Sequence, residues 1–359
     1  MLGGDGWLAP ARGGRFHQTH VTMNRPSSAT RWRPVARRRA AAAFALAALA
    51  WLAPGLARAD TLRIAASRGP LSLPLFVAQR QGLLAAEGLD ITFVDCIGGR
   101  RCLSLVLEGK ADVATGAEMA VVQEAFAHAD VAIVATIAHA SENLKLIARK
   151  GSGIAASAQL AGRRVGVMIG TTAQYQLELH LLDVGIDPRR VTMVALQPED
   201  VAAALKDARV DAAVVWEPYG YAALHGADAV GTRLPLADGY IENYTLVARR
   251  ALFAQRDDAI VRLLRAVERA EQFIQARPAQ AQAILRERLK LDQGFVDWVW
   301  AGLAWRLSLD QALLSTMESE VRWAQRERHV AEGASPNVLR LVHPGPLRAI
   351  KPAAVGIGG

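Results

Sequence analysis

No run in this sequence reaches the roughly 20 consecutive apolar residues that a membrane-spanning helix needs. The nearest approach, "AAAAFALAALAWLAP" at 40–54, is too short to span a bilayer comfortably. Sulfur is scarce too: Cys96 and Cys102 are the only cysteines, and two thiolates alone make a poor metal site. There is no Gly-x-Ser-x-Gly elbow and no His-Glu-x-x-His pair. Beyond residue 60 the histidines, His128, His139, His180, His225, His329 and His343, follow no ligand spacing. These absences leave serine hydrolases and zinc proteases without a motif, and we expect no metal, no cofactor and no enzyme chemistry.

A net charge of one sign is also absent once the first 59 residues are set aside. Nine of the 42 basic residues and one of the 34 acidic ones precede Asp60, so the rest of the chain carries 33 of each. The formal charge of +8 belongs to the N-terminal segment, and a neutral remainder gives no support to nucleic-acid binding. That segment has the layout of a secretory signal. Arg31, Arg33, Arg37, Arg38 and Arg39 precede the apolar run, and Ala57-Arg58-Ala59 supplies a small-x-small cleavage pattern. We read residues 1–59 as a signal peptide, with Met23 as an alternative start, and Asp60 as the mature N-terminus. Export would place Cys96 and Cys102 in an oxidising compartment. A bridge across "CIGGRRC" is the expected state, worth about 2 kcal/mol on loop-closure entropy; two buried thiols are the alternative.

From Asp60 on, short β-rich runs alternate with helical ones: "LRIAAS", "LPLFVAQRQGLLAAEG", "LDITFVD", "RCLSLVLEGK", "ADVAT", "AEMAVVQEAFA", "VAIVATIA". The rhythm predicts parallel strands joined by crossover helices, an α/β lobe. It restarts at Gln159 with "RRVGVMI", "TTAQYQLELHLLDVG", "VTMVAL", "PEDVAAALKDA" and "VDAAVVW", a second α/β unit. "ENLKLIARK" at 142–150 and "ENYTLVARR" at 242–250 echo each other at an offset of 100 residues, at the two borders of that second unit. We read them as two crossover strands forming a hinge, which gives 60–147 and 248–332 to lobe 1 and 148–247 to lobe 2. The returning part is helical: Ile260, Leu263, Leu264, Val267 and Ile274 form one apolar stripe. Trp298, Trp300, Trp305 and Trp323 are read as core filling. The Pro/Gly-rich tail at 333–359 is expected to drape over lobe 1 or to be partly disordered.

Three strand-to-helix turns carry the candidate chemistry. In "RVGVMIGTTAQYQLELHLL" Gly170 ends a strand, Thr171 can cap the next helix, and Gln174 completes a Thr-x-x-Gln capping box. The turn lacks both the Gly-Lys-Ser/Thr ending of a phosphate loop and the Gly-x-Gly-x-x-Gly fingerprint, so it suits a small acid group better than a nucleotide. Helix N–H groups and the hydroxyls of Thr171 and Thr172 would receive an anion. "ADVATGAEMAVV" repeats the device at Thr115 and Gly116, with Glu118 at the box position, and "AASRGPLSLPLF" offers Ser67 and Ser72. Ligands of open α/β sheets bind beyond the carboxyl ends of strands, so two facing lobes would aim all three turns into one cleft. Trp216 and Glu217 directly follow a buried strand. Trp216 offers an apolar wall or fills the core; Glu217 is a contact for an amine or ring N–H, an inter-lobe hydrogen-bond partner, or a first-turn acid complementing the helix dipole. Arg100 and Arg101 stand at a helix start, where cations are disfavoured. A solvated pair is the stronger reading there, and a counter-charge to an anionic ligand or a transporter surface the weaker.

Together these stretches resemble the periplasmic solute-binding proteins of ABC importers, in the nitrate/sulfonate/taurine and thiamine-pyrimidine branch. The resemblance covers residues 60–330 and is carried by "LPLFVAQRQGLLAAEGLDITFV", a Gly-Gly loop before "LVLEGKADVATG", "LAGRRVGVMIGTTAQY" and "VDAAVVWEPY". It implies an α/β, two-lobe periplasmic-binding-protein fold of type II-like kind. It also implies a monomer in the periplasm that captures a small organic anion or zwitterion and delivers it to a membrane permease with its ATPase. The ligand contacts it implies are Ser67, Pro70 and Leu71, Thr115 and Gly116, Gly170, Thr171 and Thr172, and Trp216 with Glu217. Sulfonate binders of this family often carry an aspartate after the Thr-Gly turn, and taurine binders one after the tryptophan. Here Ala117-Glu118 and Glu217 stand instead, which puts a plain alkanesulfonate in doubt. The alternatives are a thiamine-precursor pyrimidine binder or synthase-like enzyme on the same fold, and a periplasmic sensor subunit.

Overall fold

The computed structural model of the chain describes residues 60–127, 130–237, 239–326 and 335–357. The expected signal peptide, residues 1–59, lies outside the described residues. In chain order the strands are β1 (Asp60–Ser67), β2 (Leu89–Cys96), β3 (Val113–Ala117), β4 (Val131–Ala140), β5 (Leu144–Arg149), β6 (Arg164–Val167), β7 (Thr192–Ala195), β8 (Ala212–Trp216), β9 (Gly231–Leu234), β10 (Glu242–Arg249) and β11 (Leu303–Ala304). The helices around them are α1 (Leu73–Arg80), α2 (Leu83–Ala86), α3 (Gly98–Leu107), α4 (Glu118–Ala125), α5 (Thr172–Asp183), α6 (Val201–Lys206) and α7 (Tyr219–Leu224). After β10 come α8 (Arg250–Ala276), α9 (Pro278–Leu289), α10 (Gln293–Trp300), α11 (Gln311–Arg326) and α12 (Gly345–Ile350).

The strands make two mixed sheets, one in the order β11-β4-β10-β3-β1-β2 and the other β7-β6-β8-β5-β9. Each contains the parallel triplet that the alternating rhythm predicts, β2-β1-β3 in sheet 1 and β7-β6-β8 in sheet 2. The antiparallel strands were not predicted, and the path of the chain explains them. The chain leaves sheet 1 at the carboxyl end of β4 and comes back at the same edge, so β10 starts where β4 stops, Glu242 opposite Ala140 and Arg249 opposite Val131. β5 likewise enters sheet 2 beside the end of β8, Leu144 opposite Trp216.

The two echoing segments begin at these passages. β5 pairs within sheet 2 and β10 within sheet 1, while the chain moves between sheets in the short stretches 141–143 and 235–241. The borders expected at 147/148 and 247/248 therefore fall inside β5 and β10. The two Glu-Asn pairs meet: Asn143 Nδ2 donates to Glu242 Oε2 at 2.9 Å.

Each sheet has its own apolar core. The stripe Ile260, Leu263, Leu264, Val267 and Ile274 is buried against sheet 1 as its spacing requires, each side chain contributing roughly 2 kcal/mol of transfer free energy. From the tail, Val338, Leu341, Val342, Leu347 and Ile357 join the same core, so the described part of that segment packs onto sheet 1. Sheet 2 is covered by two smaller clusters around Leu160, Val165, Leu177 and around Val201, Leu205, Val210.

Candidate functional site

A cleft of about 70 Å³ lies between the two sheets, and its lining draws on both. Eight of the ten residues expected at a site line it: Ser67, Pro70, Leu71, Gly170, Thr171, Thr172, Trp216 and Glu217. They lie beyond the carboxyl ends of β1, β6 and β8, where an α/β sheet leaves its loops free to hold a ligand. The volume is room for roughly five waters at about 10–15 Å³ each, which matches a ligand of few heavy atoms.

Thr115 and Gly116 are not part of that lining, a correction with a structural cause. β3 runs on through Ala117, two residues further than expected, so both residues are still in the strand, between β1 and β10. Thr115 is fully buried, where its Oγ1 accepts from the Ser67 N–H at 2.9 Å and bonds the Tyr244 hydroxyl at 3.0 Å. Gly116 serves close packing: a side-chain carbon on Gly99 would come within 2.7 Å of its Cα. Ala117, Met119 and Ala120 face the cleft instead.

The turn before α5 is also built differently from a full capping box. Gln174 Oε1 accepts from the Gly170 N–H at 2.8 Å, and Thr171 Oγ1 donates to the Met168 carbonyl at 2.7 Å. The Thr171 side chain does not cap α5, and the positive end of the helix dipole lies at the cleft lining. Gly170 holds φ +71, a conformation that favours glycine, and a Cβ there would sit 3.3 Å from Arg100 Nη1.

Arg100 is exposed, as the solvated reading expects, yet it also stands at the cleft. Its Nη1 donates to the Ile169 carbonyl at 3.1 Å, reaching from the sheet 1 side to the sheet 2 side. Arg101 makes a parallel reach to Glu199 at 2.8 Å and Gln197 at 2.7 Å. Arg100 is the one basic residue among those lining the cleft. The turn that presents both arginines is stapled by the expected bridge, Cys96–Cys102, which ties the end of β2 to α3. Gly98, inside that loop, has φ +72, and a Cβ on it would stand 2.9 Å from the Trp216 ring, so Trp216 closes the cleft against bare backbone.

Glu217 fills the two structural roles offered to it, acid at a helix start and partner across the sheets. Its carboxylate is buried and accepts from the Tyr221 N–H and from Trp298 Nε1, with Lys145 Nζ at 3.8 Å. It is an inter-sheet hydrogen-bond partner, since Trp298 stands on α10 beside sheet 1, and it lines the cleft without offering that carboxylate. Burial raises its pKa and lowers that of Lys145.

Sequence reasoning missed four functional-looking residues. Trp298 and Trp323 are bridges between the sheets rather than core filling alone: Trp323 Nε1 donates to Glu178 on α5 at 2.6 Å. Asn143 lines the cleft from the passage before β5, and Glu242 from the first position of β10. The repeated Glu-Asn pair was a signal, but only the antiparallel return of β10 brings its two copies into contact. His139 is an ordinary polar residue of β4 that bonds Ser308 at 3.3 Å. Among the described residues no group of His, Cys, Asp or Glu could hold a metal ion.

A profile of the family described as NMT1/THI5 like matches residues 70–281, more than half of the chain. The chain belongs to that family. This NMT1/THI5-like chain is 29% identical over 146 residues to a protein of Brucella abortus (strain 2308) named as a binding protein, covering 39% of this chain and 45% of that one. It is 24% identical over 203 residues to a Bacillus subtilis (strain 168) protein named as aliphatic sulfonates-binding, covering 55% and 60%. The match thus spans about half the length of these curated relatives. The alkanesulfonate-binding protein SsuA from Xanthomonas axonopodis pv. citri, bound to MOPS, superposes with a TM-score of 0.71 at 19% identity over 80% of this chain and 99% of that one. At that identity the likeness establishes the fold, which is the periplasmic-binding-protein fold. An enzyme shares it: the desulfurization enzyme DSZB superposes with a TM-score of 0.61 at 18% identity, over 81% and 98% of the two chains.

Proposed function

We propose that this chain is the substrate-binding component of an ABC importer that works in the periplasm, its two sheets forming two lobes that close on a small acid-bearing solute of sulfonate type. The observation that carries the reading is the convergence of three separate turns on one small cleft, with the N-terminus of α5 and Arg100 at the same end. N–H donors and a guanidinium suit three acid oxygens, and the apolar face of Trp216 with Leu71 and Met168 suits a short carbon chain. The names of the Bacillus and Xanthomonas proteins support a sulfonate over other acids. Delivery to a membrane permease with its ATPase follows from the importer role.

No covalent step is required. The hydroxyls in the cleft belong to Ser67, Thr171, Thr172 and Tyr244, and no histidine or cysteine lines it to activate one. Affinity then depends on how far contacts in the closed form exceed the cost of ordering the lobes. Titration calorimetry with two short sulfonates, 2-aminoethanesulfonate and 1-propanesulfonate, tests the reading. At least one should bind, and Arg100→Ala should weaken it roughly tenfold or more, as expected for a charge-assisted hydrogen bond. Binding of neither overturns the proposal, and release of sulfite from either would favour an enzyme.

A further inference from the structure

The cleft has a second end of opposite character. Glu242 and Asn143 line it and are nearly buried, at 6% and 8% exposure. The Asn143 amide is oriented by its Nδ2 bond to Glu242 Oε2, which leaves Oδ1 as the acceptor, and that oxygen is buried with no partner. A buried acceptor without a donor is uncommon and costly.

Glu242 has a matching deficit of charge. Asn143 supplies its hydrogen bond, and among the described residues it has no ion pair. Behind it stand two more buried carboxylates, Glu118 and Glu320, both within reach of the Tyr240 hydroxyl, at 3.2 and 3.0 Å. Glu118 also accepts from the Asn243 backbone N–H at 3.0 Å and from its amide at 3.1 Å. The charged groups that act most on these acids are one another, Glu242 on Glu118, and Glu118 with Glu242 on Glu320. Burial and mutual repulsion hold protons on this group, and Glu242, the member that lines the cleft, is the one whose ionised form an arriving cation would stabilise.

We propose that this end is an amine subsite. Asn143 Oδ1 and Glu242 receive the protonated amine of a short zwitterion whose acid group lies at the Arg100 and α5 end; this rests on the sulfonate-type reading above. An ammonium brings three donors and one positive charge, which answers both deficits at once. The role that sequence offered to Glu217 is thereby filled by Asn143 and Glu242, because the Glu217 carboxylate is already taken by Trp298, Tyr221 and Lys145.

Proton linkage gives the subsite a signature. Burial pushes Glu242 up to about 7 and Glu118 to about 8, Glu242 adding to the latter. Glu320, Tyr240 and Tyr244, which also face this group, are raised as well. An ammonium binds the ionised form of Glu242, so affinity for an amine-bearing ligand falls as pH drops below about 7, by at most about tenfold per unit.

Titration calorimetry of the purified chain with 2-aminoethanesulfonate and 1-propanesulfonate, which differ by ammonium against methyl at equal size, decides the matter. At pH 8 the amine should bind roughly tenfold or more tightly, as a charge-assisted contact provides. The ratio should shrink at pH 6, and Glu242→Gln should bring it to about threefold or less at pH 8. Equal affinities, or a preference for the methyl compound, overturn the amine subsite and leave the acid-binding cleft standing. Binding of neither overturns both. The wild-type pH series stands even where Glu242→Gln fails to fold.

Discussion

The wall of the cleft on sheet 2 and the wall on sheet 1 differ in sequence spacing and in electrical sign. Gly170, Thr171 and Thr172 occupy one turn, and what they present is donors at a helix start. Asn143, Glu242 and Tyr244 come from positions a hundred residues apart, and what they present is buried acceptors and an acid. Arg100 is the exception that joins the two, since it stands on α3 yet reaches the Ile169 carbonyl on the far side. A short-range turn can set out backbone donors by itself. A cluster of carboxylates needs distant strands to be forced together.

The sharpest way to break the comparison is to keep the walls apart. Gly98→Val must strain a backbone at φ +72 and drive a Cβ into the Trp216 ring at 2.9 Å. We expect sulfonate affinity to fall roughly 100-fold, on strain of a few kcal/mol together with the displaced ring. Unchanged affinity by calorimetry would show that the Trp216 contact is absent from the bound form.

A second test addresses the sheet 1 wall alone. In the unfolded chain a glutamate ionises near its ordinary 4.5, while in the fold Glu242 keeps its proton to about 7 and Glu118 to about 8. Between those values the folded chain holds more protons than the unfolded one, so stability falls as pH rises across the window. The melting midpoint should be higher at pH 5.5 than at pH 8, by an amount of order a few kcal/mol in stability. Glu118→Gln should flatten that slope; a midpoint rising with pH through this range would contradict the buried, unpaired state of these acids.

The smallest effect concerns the staple. Reducing Cys96–Cys102 should cost about 2 kcal/mol of stability on the entropy model and loosen the Gly98 to Arg101 turn that faces sheet 2. A thermal midpoint and a sulfonate affinity that both survive reduction would leave the bridge without a role in the cleft.

Much of the fold was legible because its signals are local. The alternating runs gave the parallel triplets, the stripe from Ile260 to Ile274 gave a buried helix face, and the short cysteine spacing gave a bridge. The Thr115 turn was misplaced because a strand end is set by its neighbours: β3 continues to Ala117 while β10 pairs with it, Tyr244 opposite Ala117. Arg100 was undervalued because no local pattern says what stands across a gap. Trp298 and Trp323 were read by spacing as core, yet each carries one N–H that finds a carboxylate from the other sheet.

Composition and periodicity by themselves determined an α/β chain with two strand-and-helix units and turns at the strand ends. These depend on backbone preferences and burial patterns that act over a few residues. Only the tertiary structure decided which of those turns share a cleft, that the Glu217 carboxylate is taken, and that Asn143 meets Glu242 beside two other buried acids. The return of β10 against β4 sets that juxtaposition, and a pairing of strands a hundred residues apart is written in no single stretch of the chain.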